Sequence, residues 1–133
     1  MASASEPHRG EVWLVVFGAA RPGEPGKNRP AVVVSVDRIV AGPSFEPIVV
    51  VPLSSSSTPS VLRPEVRNVE GVDRPSHALP RAVRGVARSR LLRRLGTLPP
   101  DKLAEIERAL ALILGLAPGS PRPRQQSRKR RAG

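Results

Sequence analysis

The residues whose types and spacing could carry chemistry are one arginine and two serines beside two Val-rich stretches. Arg29 directly precedes the stretch Pro30–Val36, and Ser54 and Ser55 directly follow the stretch Pro47–Leu53. A guanidinium and a hydroxyl can together hold a phosphate and stabilise the charge of a phosphorane. Such a pair is sufficient for RNA cleavage without a metal ion, because the 2′-OH of RNA supplies the nucleophile.

Two elements must position these side chains at one place. The Val-rich stretches each open with proline and continue in Val or Ile, as is typical of central strands buried on both faces. If they are antiparallel neighbours, Arg29 and Ser54 meet at one edge of the sheet. The Gly- and Pro-rich residues 18–28 predict a long exposed loop beside that edge. Since proline-opened strands and Ser-rich turns are common in proteins of every kind, these residues alone leave a purely structural interpretation open.

The rest of the pattern predicts an α+β fold that is mostly β. We expect a first strand over Gly10–Phe17 and shorter strands over Leu62–Val66, Ser76–Leu79 and Val83–Val86. The segment between the two Val-rich strands is expected to turn around Gly42 and Pro43. The stretch Ser89–Leu95, closed by Gly96, predicts one or two helical turns.

A terminal amphipathic helix is the clearest predicted element. Pro99, Pro100 and Asp101 are typical of a helix start. Apolar residues then recur with a 3.6-residue period at Leu103, Ile106, Leu110, Ile113 and Leu114. Pro118 is expected to end this helix, which covers one face of a small antiparallel sheet that can close into a barrel.

Composition limits the number of domains and the kinds of site. The 133 residues fit one domain at 8–117, after a disordered lead-in at 1–7 and before a disordered basic tail at 118–133. The absence of Cys excludes disulfides, a Cys-ligated zinc site and a thiol nucleophile. His8 and His77 are far apart and lack paired carboxylates, so no metal or other cofactor is expected. His77 is interpreted as a packing or exposed residue.

Positive charge dominates the chain and bears on its partners. There are 22 Lys and Arg against 11 Asp and Glu, which gives a net charge of +11. Six arginines between residues 81 and 94 have no carboxylate among them. Such a field favours a nucleic acid or an acidic protein partner, although a general preference for exposed arginine would give the same composition. With no recognisable secretory signal or membrane span, a cytoplasmic location away from membranes is expected.

In their order and spacing, several segments resemble the MazF/PemK family of toxin endoribonucleases from type II toxin–antitoxin systems. The matching segments are RGEVW at 9–13, GKNRPAVVV at 26–34, VVVPLSS at 49–55, VR at 83–84, SRL at 89–91 and the helix at 103–116. The resemblance covers about residues 8–116. It implies a small SH3-like or CcdB-like barrel of antiparallel strands, usually in a homodimer.

The same resemblance implies an activity and partners. The implied activity is sequence-specific, metal-independent cleavage of single-stranded RNA, of which mRNA, tRNA and rRNA are the candidate substrates. The implied products are a 2′,3′-cyclic phosphate and a 5′-hydroxyl end, and the consequence is inhibition of translation and growth. A cognate MazE-like antitoxin is implied as the partner that neutralises the protein.

Functional residues carry over from the family only where the sequence matches its motifs. Arg29 matches the catalytic arginine, whose implied role is to protonate the leaving 5′-oxygen and to neutralise the phosphorane. Ser54 stands where the family usually has a catalytic threonine, whose hydroxyl contacts the scissile phosphate. Substrate contacts are expected from Lys27, Asn28, Ser55, Arg84 and Arg88.

Three departures from the family pattern keep other functions open. Ser54 lacks the β-methyl group that stiffens the threonine side chain. Many members have Gln where this chain has Ala82, and Asn where it has Val36. An inactive RNA-binding relative is therefore one alternative. A CcdB-like inhibitor of DNA gyrase, which has the same barrel and cleaves no RNA, is another.

Overall fold

The computed structural model describes residues 6–18, 22, 27–42, 46–56, 58, 60–67, 72 and 74–116. Its strands are β1 (Glu11–Val16), β2 (Asn28–Val33), β3 (Ile48–Ser54), β4 (Glu65–Val66), β5 (Ser76–Ala78), β6 (Arg84–Val86) and β7 (Leu91–Thr97). Its α-helices are α1 (Asp37–Val40) and α2 (Pro100–Leu114), and 3-10 turns cover Pro80–Ala82 and Arg88–Arg90. The predicted tail at 118–133, and most of the predicted lead-in and of the loop 18–28, lie outside the described residues.

A curled antiparallel sheet forms the body of the described chain. Its strand order is β4-β5-β3-β2-β1-β7, and β6 pairs with the first residues of β3 while β5 pairs with the last ones. Each of these pairings is antiparallel. Because α2 packs on one face of the curled sheet, the architecture is a half-barrel with a C-terminal helix. The predicted mostly-β fold is confirmed.

Two apolar clusters on opposite faces of the sheet stabilise it. Side chains alternate along a strand, so consecutive residues enter different clusters. Val12, Val32 and Val51 belong to one cluster, which Ile106 of α2 covers. The second cluster contains Trp13, Val15, Phe17, Ala31, Val33 and Val50, among others. Burial on both faces explains why β2 and β3 are continuous apolar stretches rather than alternating ones.

The segment Ser89–Leu95, predicted to be helical, is mostly strand. β7 begins at Leu91 and includes Gly96, which therefore does not end a helix. The register between β1 and β7 shifts twice, as at β-bulges. Because of these shifts, Leu91 enters the cluster of Trp13 whereas Leu95 enters the opposite one. The two leucines are four residues apart, as on one face of a helix, but they belong to an irregular strand.

Other boundaries also differ from the sequence-based prediction. β2 begins at Asn28, so Arg29 lies inside the strand, and β3 includes Ser54 as its last residue. The short helix α1 occupies part of the segment predicted as a turn. Gly115 ends α2 before the predicted stop at Pro118, because its φ of 73° is a left-handed conformation that glycine adopts without strain.

Arg9 joins the start of the domain to α1 and α2. Its backbone N–H donates to Asp37 Oδ1 at 2.7 Å. Its guanidinium donates to the Val34 carbonyl and forms an ion pair with Glu107 of α2. Arg9 therefore connects the segment before β1 with the chain just after β2 and with the terminal helix.

Glu11 holds a buried network at the start of β1. Its side chain is 11% exposed. Its Oε1 accepts hydrogen bonds from the Trp13 indole N–H and from the His8 backbone N–H, both at 2.9 Å. Its Oε2 lies 3.7 Å from Arg94 Nη1. The carboxylate thus satisfies an indole donor that is otherwise enclosed by apolar side chains.

We predict that Glu11→Ala lowers the free energy of unfolding by about 1–3 kcal/mol, because it leaves the Trp13 indole donor buried without an acceptor. Urea denaturation followed by tryptophan fluorescence measures this directly. Glu105→Ala is the matched control, since its carboxylate pairs with Lys102 on the surface of α2 and such pairs contribute about 0–1 kcal/mol. Equal effects of the two substitutions would contradict the prediction.

Candidate active site

The pairing of β2 with β3 determines where Arg29 and Ser54 lie. Ala31 pairs with Pro52, and Val33 pairs with Val50. When this register is extended by two residues, Arg29 lies opposite Ser54 and on the same face of the sheet. The other edge of β2 is held by β1, where Arg29 pairs with Val15. Arg29 is therefore fixed at its backbone on a strand with neighbours on both sides.

A pocket of about 160 Å³ opens at this end of the sheet. Its polar lining residues are Arg29, Arg74, Ser55 and Ser76, and Pro30 and Leu53 are among its apolar ones. The Ser76 hydroxyl donates to the Arg74 carbonyl at 3.2 Å. A cationic pocket with hydroxyl groups can bind an anion with several oxygen atoms, such as a phosphate.

The two predicted serines take different places at the end of β3. Ser54 is 8% exposed, and its Oγ accepts a hydrogen bond from the Ser56 backbone N–H at 3.2 Å and lies 3.1 Å from Ser56 Oγ. Ser55 is exposed and lines the pocket with Arg29. Ser54 shares a sheet face with Arg29, while Ser55 shares the pocket.

His77 lies directly beside Ser54, which the sequence analysis did not anticipate. The two residues are paired across β3 and β5, and Glu65 of β4 pairs with His77 on its far side. His77 is 8% exposed, and its Nδ1 is buried without a hydrogen-bond partner among the described residues. The alternation of the short strand β5 indicates which face His77 occupies, but nothing local indicates that β5 pairs with β3.

Lys27 and Asn28 lie at the mouth of the hairpin that joins β1 to β2. The Phe17 backbone N–H donates to the Lys27 carbonyl at 2.9 Å, and the Lys27 N–H donates to the Gly18 carbonyl. Lys27 has a φ of 61°, a conformation that favours glycine or asparagine and that these two hydrogen bonds hold in place. Both Lys27 and Asn28 are exposed, and Asn28 pairs with Val16.

Arg84 and Arg88 both use their guanidinium groups within the fold. The Arg84 guanidinium lies 5.4 Å from the centroid of the Phe17 ring, as in a cation–π contact. Arg88 Nη2 donates to the carbonyl of Val40 at the end of α1, and Arg88 Nε is buried without a partner among the described residues. Arg90 Nη1 likewise donates to the Val16 carbonyl at 3.1 Å. These contacts hold the turn before β7 against β1 and α1.

Two searches of the described residues bear on other kinds of site. No group of three or more His, Asp or Glu side chains in this part of the chain lies close enough together to hold a metal ion. No described helix is long and apolar enough to cross a membrane.

We predict that Arg88→Leu lowers the free energy of unfolding by about 1.5–3 kcal/mol, because it removes a charged hydrogen bond to a backbone carbonyl. Thermal or urea denaturation measures the change. Arg81→Leu, at an exposed position in the turn Pro80–Ala82, removes the same charge and is expected to leave stability nearly unchanged. A midpoint for Arg88→Leu equal to that of the control would contradict this structural role.

The half-barrel and its cationic pocket define a small β-rich protein suited to a phosphate-bearing ligand. Residues 8–114 match the family of PemK-like, MazF-like toxins of type II toxin–antitoxin systems. The chain belongs to this family, as the sequence analysis predicted.

Individual relatives agree with the family assignment. The chain is 36% identical over 115 residues to endoribonuclease MazF9 of Mycobacterium tuberculosis, covering 81% of this chain and 96% of the relative. Its structure is similar to that of a chain in the MazE–MazF crystal structure from Deinococcus radiodurans, with a TM-score of 0.69 and 25% identity. The match covers 84% of this chain and 98% of that chain. A mycobacterial endoribonuclease in complex with its cognate antitoxin shares the fold, with a TM-score of 0.64, 21% identity, and coverage of 88% and 99%. The predicted enzyme class agrees with the names of these relatives.

Proposed function

We propose that this chain is a toxin endoribonuclease that cleaves single-stranded RNA at the pocket beside Arg29. The observation that carries the proposal is the antiparallel register of β2 and β3, which brings Arg29 to the same sheet end as Ser54 and Ser55. Membership of a toxin family whose named relatives are endoribonucleases supports RNA as the substrate.

The proposed reaction needs only the chain, its substrate and water. The 2′-oxygen of RNA bonds to the adjacent phosphorus, and the bond from phosphorus to the 5′-oxygen breaks. Water takes the 2′-proton, and the Arg29 guanidinium gives a proton to the 5′-oxygen and regains one from solvent. The products are a 2′,3′-cyclic phosphate and a 5′-hydroxyl end. The Arg29 guanidinium stabilises the extra negative charge on the phosphorane, which is greater than the charge on the starting diester.

The hydroxyls at the end of β3 orient the phosphate in this proposal. Ser54 lies on the face of Arg29 and reaches the scissile phosphate after its hydroxyl rotates away from Ser56. Ser55, in the pocket, holds a further substrate oxygen. Lys27 and Asn28, at the hairpin mouth, contact the RNA on the side of β1. Arg84 and Arg88 contribute positive charge to the surface that binds RNA, and they also hold β6 and the turn before β7.

The proposal includes the partners that the family relationship favours. The chain forms a homodimer in the cytoplasm, and a cognate MazE-like antitoxin covers the surface that binds RNA. A mycobacterial endoribonuclease that was solved in complex with its cognate antitoxin supports an antitoxin as the partner. Since no step of this proposed mechanism uses a metal ion, activity in the presence of a chelator is expected.

We predict that Arg29→Ala lowers the cleavage rate of single-stranded RNA by about 100- to 1,000-fold, the usual effect of losing one donor to a developing oxyanion. The assay uses purified protein in excess EDTA and follows the 5′-hydroxyl ends by labelling with polynucleotide kinase. Arg81→Ala is the matched control, and circular dichroism checks that both variants fold.

Two results would overturn the proposed function. The first is a wild-type protein that cuts no RNA in EDTA, which would favour a gyrase inhibitor or an inactive RNA-binding relative. The second is an Arg29→Ala variant that cuts as fast as the wild type, which would place the chemistry elsewhere in the molecule.

We predict that Ser54→Thr preserves or raises the cleavage rate, because threonine keeps the hydroxyl and restricts its rotamers. Ser54→Ala is expected to lower kcat, since the scissile phosphate loses a donor. Ser55→Ala is the matched control for hydroxyl loss one residue away and is expected to raise KM more than it lowers kcat. A large loss of kcat in Ser55→Ala, with Ser54→Ala unaffected, would assign the catalytic hydroxyl to Ser55 instead.

A further inference from the structure

Arg74 is a second cation in the pocket of Arg29, and neither the sequence motifs nor the proposed mechanism uses it. It lies two residues before β5, and its side chain is exposed at the pocket wall. Its backbone carbonyl accepts the Ser76 hydroxyl hydrogen bond at 3.2 Å, which fixes the main chain at this point. The pocket therefore has one guanidinium from β2 and one from the segment leading into β5.

Arg74 differs from the arginines that stabilise the fold. Arg9, Arg67 and Arg94 lie within ion-pair distance of carboxylates. Others donate to backbone carbonyls, as Arg63 does to that of Thr58. Among the described residues, the Arg74 guanidinium forms no hydrogen bond and no ion pair, although it lines a pocket rather than an open surface.

The charge of the pocket favours an anionic ligand. Among the described residues, its lining includes two arginines and no Asp or Glu. The Ser55 hydroxyl adds a donor suited to phosphate oxygens, whereas the Ser76 hydroxyl already donates to the Arg74 carbonyl. A single strand of RNA offers several phosphates in succession, so one strand can satisfy both guanidinium groups.

We propose that Arg74 binds a phosphate of the RNA strand next to the one that is cleaved. The proposal rests on the proposed function, in which Arg29 engages the scissile phosphate. Arg74 contacts a phosphate that undergoes no bond change, so its contribution is equal in the bound substrate and in the transition state. Such an interaction lowers KM and leaves kcat nearly unchanged. It also sets the position of the strand in the pocket, since a phosphate contact fixes register without reading a base.

The test compares Arg74→Ala and Arg74→Lys with Arg108→Ala, which removes one exposed positive charge from α2, outside this pocket. Binding is measured with a single-stranded 2′-O-methyl RNA of mixed sequence, which lacks the nucleophile and stays intact. Cleavage of unmodified RNA gives kcat and KM. Circular dichroism and the melting temperature show whether each variant is folded.

We expect Arg74→Ala to raise KM and the dissociation constant about tenfold, the scale of one charged hydrogen bond, with kcat within about twofold. The slope of log affinity against log salt is expected to fall by about 0.7, the value for one phosphate contact with a single strand. Arg74→Lys is expected to keep the salt slope and to lose only part of the affinity, because it keeps the charge without the fork of donors. Arg108→Ala is expected to match the wild type.

Three results would overturn the inference. Arg74→Ala and Arg108→Ala with equal KM and equal salt slopes would show that Arg74 contributes only general charge. A fall in kcat at constant KM would place Arg74 on the scissile phosphate. If Arg74→Lys loses as much affinity as Arg74→Ala, and both variants keep the salt slope of the wild type, Arg74 has a structural role. Failure of the proposed function is distinguishable, because the wild type would then cut no RNA whatever the Arg74 variants bind.

Discussion

The antiparallel register between β2 and β3 is the constraint on which the site depends. It is fixed by burial on both faces, because Val32 and Val51 face one apolar cluster while Val33 and Val50 face the other. A slip of one residue would move every side chain of one strand to the wrong cluster. The same packing that stabilises the sheet therefore determines which polar residues lie together where the paired strands end. This register brings the β2 and β3 residues of the pocket together.

The arginines of this chain divide into those that hold the fold and those that face the pocket. The guanidinium groups of Arg9 and Arg88 donate hydrogen bonds to backbone carbonyls within the domain, and that of Arg9 also pairs with Glu107 of α2. Arg84 lies against an aromatic ring. Arg29 and Arg74 line a cavity that has no Asp or Glu among its described lining residues. A net charge of +11 thus says less about binding than the places at which individual arginines line a concave surface.

Much of the fold could be predicted because its main signals are local. Val-rich stretches and a proline-led apolar stripe indicated β2, β3 and α2. β7 was mispredicted because bulges send Leu91 and Leu95 to opposite faces, and a bulge depends on the partner strand rather than on its own sequence. For the same reason, the sequence did not indicate that His77 lies beside Ser54 or that Arg74 lines the pocket of Arg29. Their places follow from the pairing of β3 with a three-residue strand far along the chain, which no local pattern encodes.

The position of β1 between β2 and β7 has a consequence for how the protein is made. One edge of β1 has no partner until residues 91–97 have been synthesised, and the Arg9 guanidinium cannot reach Glu107 until α2 follows. A nascent chain still attached to the ribosome therefore exposes an open strand edge and an uncovered apolar face until β7 and α2 have emerged. Folding of the domain is completed only when α2 has left the ribosome, after the strands that carry Arg29 and Ser54.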